Sequence, residues 1–200
     1  MLKSKLLTIL AFSVMVLLTV GLAAGQAPSA TTIPADTLNV NYFVNANTTG
    51  APDGTVQITN PGTSGRTVCA MIYVFYPDEE MTECCGCTVT PDDLRTLSIN
   101  GDLTANPLVG IKATTGVIKI VSSKYPTSGV CDPRTLTPTP ATRDWATHIL
   151  GLSTGGYVIT EEEFQSATLG STEVSSLQAG CSAIVLEGSG HGICTCGVGS

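Results

Sequence analysis

Cysteine is the residue type with the most chemical potential in this chain, since eight cysteines occur among 200 residues. Three lie in the stretch C-C-G-C and two more close the chain in H-G-I-C-T-C. The full set is Cys69, Cys84, Cys85, Cys87, Cys131, Cys181, Cys194 and Cys196. An even number of thiols in an oxidising compartment predicts up to four disulfides, and the sequence leaves their pairing open.

Local geometry limits which of these cysteines can form disulfides with one another. Neighbouring side chains on a strand face opposite ways, so Cys84 and Cys85 are each predicted to have a distant partner. A bridge at Cys131 would tie down the proline-rich loop at residues 125–140, which is long for a compact domain. Cys181 falls on an apolar helical stripe and favours a buried bridge to another element, although Cys181 with Cys194 could instead close a short loop.

A metal site is the first alternative for these thiols. Cys84, Cys85, Cys87, His191, Cys194 and Cys196 together offer thiolates and an imidazole, which suit zinc or copper. The spacing lacks the separated C-x₂-C pairs of a zinc ribbon, and export favours oxidation. We therefore expect disulfides, with no metal and no other cofactor.

A hydrolase site is the second alternative. Gly151-Leu152-Ser153-Thr154-Gly155 matches the nucleophile elbow G-x-S-x-G, and residues 161–163 and then His191 follow in the order serine, acid, histidine. The elbow requires a helix after the serine, whereas residues 156–160 have the pattern of a strand. We interpret the match as a Gly/Ser turn and assign no catalytic residue.

A calcium site is the third alternative. Carboxylates occur at Asp78, Glu79, Glu80 and Glu83, and again at Asp92 and Asp93. Their oxygens suit Ca²⁺, but the spacing is not that of the D-x-[DN]-x-[DN]-G loop. The first three are predicted to form a solvated turn.

The N-terminus has the pattern of a secretory signal peptide. Lys3 and Lys5 form a basic start, residues 6–22 are apolar or small, and cleavage is predicted between Ala23 and Ala27. We therefore divide the chain into a signal peptide at 1–27, a flexible tether at 28–36, a β-sandwich at 37–159 and a C-terminal helical, cysteine-containing appendage at 160–200. An uncleaved membrane anchor is the rival interpretation of the apolar stretch.

Charge and composition exclude some partners and favour a β fold. The formal net charge is −7, and an acidic surface repels phosphate backbones, so nucleic acid is not an expected partner. Strands are predicted at residues 38–44, 55–59, 68–76, 97–100, 116–122, 143–150 and 156–160. The apolar run from Val68 to Tyr76 is predicted to lie inside a sheet, because both of its faces must be covered. Short strands between turns favour an immunoglobulin-like β-sandwich.

Helices are predicted at three places. Thr90-Pro91 followed by two aspartates has the pattern of a helix start that brings Leu94 and Leu97 to one face. Thr160 with Glu163 matches a capping box. A second C-terminal start at Ser171 leads into a stripe of Val174, Leu177, Cys181 and Ile184, with Gly188 as its predicted C-cap.

Four segments together carry a resemblance. V-C-A-M-I-Y-V-F, M-T-E-C-C-G-C-T-V-T-P-D-D-L-R-T-L-S-I-N, R-D-W-A-T-H-I and G-I-C-T-C-G resemble a group of uncharacterised exported bacterial proteins with the motif M-x-E-C-C-G-C-x-V-T-P-D-x-L-R-x-L-S-x-N. The resemblance implies secretion and a bacterial source, and it supplies no activity or functional residue.

These patterns predict a secreted or periplasmic, disulfide-stabilised structural or binding module without catalytic activity. We expect its partner to be a protein or a cell-envelope or extracellular ligand, with no membrane contact after signal cleavage. An exported serine hydrolase and a thiol- or imidazole-based metal binder are the alternatives.

Overall fold

The computed structural model describes residues 36–197, so the predicted signal peptide and nearly all of the predicted tether lie outside the described residues. Within that range the chain forms nine strands and one α-helix. They are β1 (Leu38–Phe43), β2 (Thr55–Thr59), β3 (Val68–Phe75), β4 (Met81–Val89), β5 (Leu94–Ser98), β6 (Gly116–Lys124), β7 (Arg143–Gly151), β8 (Tyr157–Glu163), β9 (Gln165–Ala167) and α1 (Ser171–Glu187). A wide helical turn, Ile99–Leu103, follows β5.

The strands form two antiparallel sheets. The five-stranded sheet has the order β4-β3-β6-β1-β9, and the four-stranded sheet has the order β5-β2-β7-β8. Apolar residues of both sheets, among them Val56, Ile58, Ile72 and Ile118, share one buried cluster. The prediction of a mainly β fold with two sheets is therefore confirmed.

Strand β3 is buried on both faces, as its continuous apolar sequence predicts. Val68, Ala70, Ile72 and Val74 belong to the cluster shared with the four-stranded sheet. The alternate residues Cys69, Met71 and Tyr73 belong to a second cluster on the opposite face. Since β4 and β6 pair with its two edges, β3 lies inside the sheet, as predicted.

The second cluster lies where α1 and the 131–136 loop form a layer on this face of the five-stranded sheet. Leu177, Cys181 and Ile184 are the buried residues of α1, and they belong to the same cluster as Tyr73 and Leu136. As predicted, the helix ends at Gly188. This glycine has a left-handed φ of 65°, and its N–H donates to Val185 O. This layer covers what would otherwise be an exposed apolar face of the five-stranded sheet.

The alternation in β1 places polar residues inside the protein. Asn39 and Asn41 are buried, whereas Tyr42 is 48% exposed. Asn39 Nδ2 donates to Asp144 Oδ2 at 2.7 Å, and Asn41 Oδ1 lies 2.9 Å from His148 Nε2. The pattern correctly predicts a strand, and the asparagines are buried because β7 presents polar partners to them.

The helix predicted at Thr90 is wrong. Residues 90–93 form a turn, and β5 begins at Leu94. Asp92 has a φ of 62°, which no α-helix accommodates, and its N–H donates to Asn60 O at 2.9 Å. Leu94 is exposed and Leu97 buried, so the two leucines do not share a face. The hydrogen bond to Asn60, which follows β2, holds the turn in which the chain passes from β4 in one sheet to β5 in the other.

The helix predicted at Thr160 is also wrong, because that segment belongs to β8. Its residues pair with β7 in an unbroken register from Trp145↔Glu163 to Gly151↔Tyr157. A capping box is a local preference, and hairpin pairing with β7 overrides it. The described part of the C-terminal region thus contains a single α-helix, α1, and that helix is not long and apolar enough to cross a membrane.

Candidate functional site

Strand β4 carries the C-C-G-C stretch, and its pleat distributes the cysteines to both faces of the sheet. Cys84 lies opposite Tyr73 and faces the α1 layer, whereas Cys85 and Cys87 lie opposite Ile72 and Ala70 and face the inter-sheet cluster. One strand can therefore bond in two directions within four residues.

Each of the eight cysteines is in a disulfide. The bridges are Cys69–Cys131, Cys84–Cys181, Cys85–Cys194 and Cys87–Cys196. The predictions of distant partners for Cys84 and Cys85, of a tie at Cys131 and of a helix bridge at Cys181 are confirmed. The alternative pairing of Cys181 with Cys194 is wrong, because Cys181 faces β4 from the buried side of α1 while Cys194 lies on the opposite face of that strand.

The last described residues of the chain run along the outer edge of β4. Cys84 N donates to Gly192 O at 2.9 Å, and Cys194 N donates to Cys84 O at 3.3 Å, which forms a parallel bridge. The two bridges on this side both join cysteines that are 109 residues apart. Equal separations mean that the tail and β4 advance together, in register, from one bridge to the next.

Polar contacts hold the tail from both sides. Asn106 O accepts from Gly192 N at 2.7 Å, and Asn106 Nδ2 donates to Gly190 O at 2.8 Å. Further along, Thr195 Oγ1 donates to Asp102 Oδ1 at 2.6 Å in the wide turn after β5. The tail is thus tied to the five-stranded sheet by two disulfides and to the end of β5 by hydrogen bonds.

A buried carboxyl lies beside the tail. Glu83 has no exposed surface, its Oε1 accepts from Asn106 N at 3.1 Å, and its Oε2 has no hydrogen-bond partner. Burial raises the pKa of Glu83 to about 8, against the lowering by the Asn106 N–H and by Lys112. The side chain is therefore protonated below that pH.

Gly86 allows the 131 loop to approach β4. A Cβ at this position would lie 2.1 Å from Cys131 O. The Cys69–Cys131 bridge can therefore close over β4 only because residue 86 has no side chain.

The structure brings part of the predicted metal set together. The Sγ atoms of Cys85, Cys87 and Cys196 lie within 4.8 Å of one another. Each of them is bonded to another sulfur, so none is a thiolate ligand in this state. The Nδ1–H of His191 donates to Asn106 Oδ1 at 2.7 Å, and Cys84 faces the other side of the sheet.

The predicted hydrolase and calcium groups do not form one site. Ser153 lies in the turn between β7 and β8, so a strand rather than a helix follows it, and the elbow is absent there. His191 lies in the tail, bonded to Asn106. Asp78 and its neighbours form the predicted exposed turn, while Asp92 and Asp93 lie in the turn beside Asn60.

A notch of about 290 Å³, which the sequence does not predict, lies beside the exposed end of β1. It is lined by Val40, Asn41, Tyr42, Val117, Glu162, Glu163 and Gln165. β9 pairs with residues 38–40 of β1 only, which leaves the edge open from Asn41 onward. The sequence contains a strand with an aromatic residue, Tyr42, and an acidic run at 161–163. Nothing in the sequence shows that these two segments meet.

His148 forms the back of this region. Asn41 Oδ1 accepts from Tyr42 N at 2.8 Å, which orients the amide, so the Nε2–H of His148 donates to the same oxygen at 2.9 Å. The ring centroid of His148 lies 4.4 Å from that of Tyr42, and its Nδ1 lies 3.7 Å from Glu162 Oε2. The buried histidine therefore lies beside both the aromatic ring and one acid of the notch.

Comparison with known proteins identifies no family. No family model matches the chain, and no curated protein matches it. A solved structure described as "Crystal Structure of Thermotoga maritima 1070" aligns with a TM-score of 0.41 and 13% identity, over 66% of this chain and 97% of that one. Similarity at this level indicates neither a shared family nor a shared function.

Proposed function

We propose that this chain is an exported, disulfide-stabilised binding module that acts without catalysis. The observation that carries the proposal is the concentration of bridges on β4, where three of the four disulfides begin. They tie α1 and the tail to one strand. Such a framework is typical of domains that keep a fixed surface outside the cytosol.

Export is the second part of the proposal. The basic and apolar pattern of the first 27 residues favours a signal peptide, and four disulfides are typical of an extracellular or otherwise oxidising compartment. The resemblance to exported bacterial proteins points the same way. The partner would then be a protein or another ligand of the cell envelope or of the medium.

An immunoglobulin-like arrangement is the finer proposal for the fold. The chain passes from β4 in one sheet to β5 in the other and returns to β6, which lies beside β3. Connections that cross between two sheets in this way support a Greek-key sandwich. Domains of that type commonly present binding surfaces on loops and edges.

The test of the module combines secretion, bridging and binding. Full-length protein expressed in a bacterial host should be recovered outside the cytosol with its N-terminal segment removed and four intact bridges, as measured by non-reducing mass spectrometry. It should bind purified cell-envelope material and leave a fluorophosphonate probe unreacted. Labelling of Ser153, or retention in the cytosol with free thiols, would overturn the proposal.

A thiol-based metal site is the second candidate, favoured by the proximity of the sulfurs of Cys85, Cys87 and Cys196. It would exist only after reduction of both tail bridges by a dithiol. Zinc titration of reduced protein, followed by mass spectrometry under native conditions, tests it. Stoichiometric zinc that disappears in a Cys85→Ser/Cys87→Ser variant would favour this function over the module.

A further inference from the structure

The four outer edges of the two sheets are protected unequally. The β4 edge pairs with the tail through Cys84, and the β9 edge is only three residues long. The tail residue Gly197 covers the β5 edge closely, since a Cβ on it would lie 2.9 Å from Thr96 O. Strand β8 has seven residues, and its outer edge has no strand partner within residues 36–197. Natural proteins usually block such an edge, so a long open one marks a place where another strand can add.

The register identifies which groups of β8 face outward. Phe164 N donates to Asp144 O at 2.8 Å, and Leu152 N donates to Gly156 O at 3.0 Å, at the two ends of the β7–β8 pairing. Hydrogen-bonded pairs alternate along an antiparallel ladder, and this register has no interruption. The even-numbered residues of β8 therefore bond to β7, and Tyr157, Ile159 and Glu161 direct their N–H and C=O groups to solvent.

The side chains beside this edge are exposed and apolar. Val158 is 41% exposed and Ile159 is 56% exposed, and the facing end of β7 contributes the exposed Leu150 and Leu152. The hairpin therefore presents apolar surface on both of its faces. An added strand would cover this surface in addition to satisfying the free backbone groups.

Charge selects the kind of strand. Glu161, Glu162 and Glu163 are all exposed, and no lysine or arginine of the described part of the chain forms an ion pair with them. Two of them, Glu162 and Glu163, line the notch together with Tyr42. A carboxylate pair beside an aromatic ring suits a lysine or arginine side chain, through charge and through contact with the ring face. A second copy of this chain would bring three more glutamates to the same edge and no cation.

We propose that β8 binds an extended basic segment of a partner protein as an additional antiparallel strand, with one lysine or arginine side chain in the notch between Tyr42 and the glutamates. The inference rests on the proposed function of a binding module and names its partner. Backbone bonding at Tyr157, Ile159 and Glu161 supplies affinity, and the acidic run sets the preference for basic residues.

Three synthetic peptides test the inference by fluorescence anisotropy: alternating Val and Lys, alternating Val and Glu, and alternating Val and Ser. The lysine peptide should bind at least about tenfold more tightly than the glutamate peptide, a difference that falls as salt is raised. Ile159→Pro removes an outward N–H without removing a bond to β7, and should weaken binding about tenfold. Ile159→Ala keeps that N–H and is the matched control, with a smaller effect.

Side-chain variants separate the two parts of the claim. Glu161→Gln/Glu162→Gln/Glu163→Gln should abolish the preference for lysine, and Tyr42→Ala should weaken the lysine peptide more than the serine peptide. Equal binding of the three peptides by wild type, no binding of any of them, or insensitivity to Ile159→Pro in a variant with normal melting temperature would overturn the inference. Dimerisation that Ile159→Pro disrupts would overturn it in favour of a second copy. Envelope binding that survives Ile159→Pro overturns the strand-addition site alone, whereas labelling of Ser153, or retention of wild type in the cytosol with free thiols, overturns the module.

Discussion

Cys84 and Cys85 are neighbours in the chain and anchor two different layers of the protein. Cys84 is bonded to Cys181 in α1, and Cys85 is bonded to Cys194 in the tail on the opposite face of the sheet. A strand places adjacent side chains on opposite faces, so two consecutive thiols can attach a helix and a tail to the same point of β4.

Removing one of these two bridges should loosen one layer only. Cys84→Ala/Cys181→Ala should lower the free energy of unfolding by about 2–4 kcal/mol and raise amide exchange in α1. Hydrogen exchange with mass spectrometry should find the tail still protected. The tail is held by two bridges, so its counterpart variant removes both, Cys85→Ala/Cys194→Ala together with Cys87→Ala/Cys196→Ala, and should show the converse pattern. Uniform loss of protection in both variants would contradict independent attachment.

Gly86→Ala should be strongly destabilising, because the added Cβ would lie 2.1 Å from Cys131 O and the backbone must move. We expect a loss of several kcal/mol, at the upper end of single substitutions, together with incomplete formation of the Cys69–Cys131 bridge. Urea unfolding and peptide mapping under non-reducing conditions measure the two effects. Gly151→Ala, where the nearest atom to an added Cβ is Tyr157 Cε1 at 3.9 Å, is the control and should be nearly neutral.

Glu83 should make the protein less stable as pH rises. Burial raises its pKa from 4.5 to about 8, so between these values the unfolded chain releases a proton that the folded chain keeps. The contribution of Glu83 to the free energy of unfolding is therefore fully present below pH 4.5. It declines as the pH rises to 8, by at most about 1.4 kcal/mol per pH unit. Glu83→Gln has no such proton, so its melting temperature should match wild type at pH 4 and exceed it at pH 8. A difference that does not change with pH would contradict the assignment.

Asp144 should depend on its hydrogen bonds more than on its charge. It is buried, burial raises its pKa to about 7 against the lowering by Asn39 and Thr142, and it accepts from Asn39 Nδ2. Asp144→Asn keeps an acceptor for Asn39 and should cost little at pH 5. Asp144→Ala leaves that buried donor unpaired and should cost about 1–3 kcal/mol more. Thermal unfolding at pH 5 compares the two variants, and equal losses would show that Asn39 finds another acceptor.

The sequence by itself determined the features that depend on near neighbours. The apolar run at Val68 predicted a strand covered on both faces, and the spacing of Leu177, Cys181 and Ile184 predicted a helix with a bridge on its buried side. Adjacent thiols at 84 and 85 predicted separate partners, because the period of a strand is local geometry.

Only the tertiary structure decided what depends on distant segments. The helix signals at Thr90 and Thr160 are local preferences, and pairing with Asn60 and with β7 overrode them. Cys194 and Cys196 are bonded to Cys85 and Cys87 because the tail runs parallel to β4. The spacing of the cysteines in the sequence does not predict this parallel arrangement. The notch joins Tyr42 to Glu162 across 120 residues of chain. Such a site exists only once both sheets have formed, since the packing of one edge against another brings its residues together.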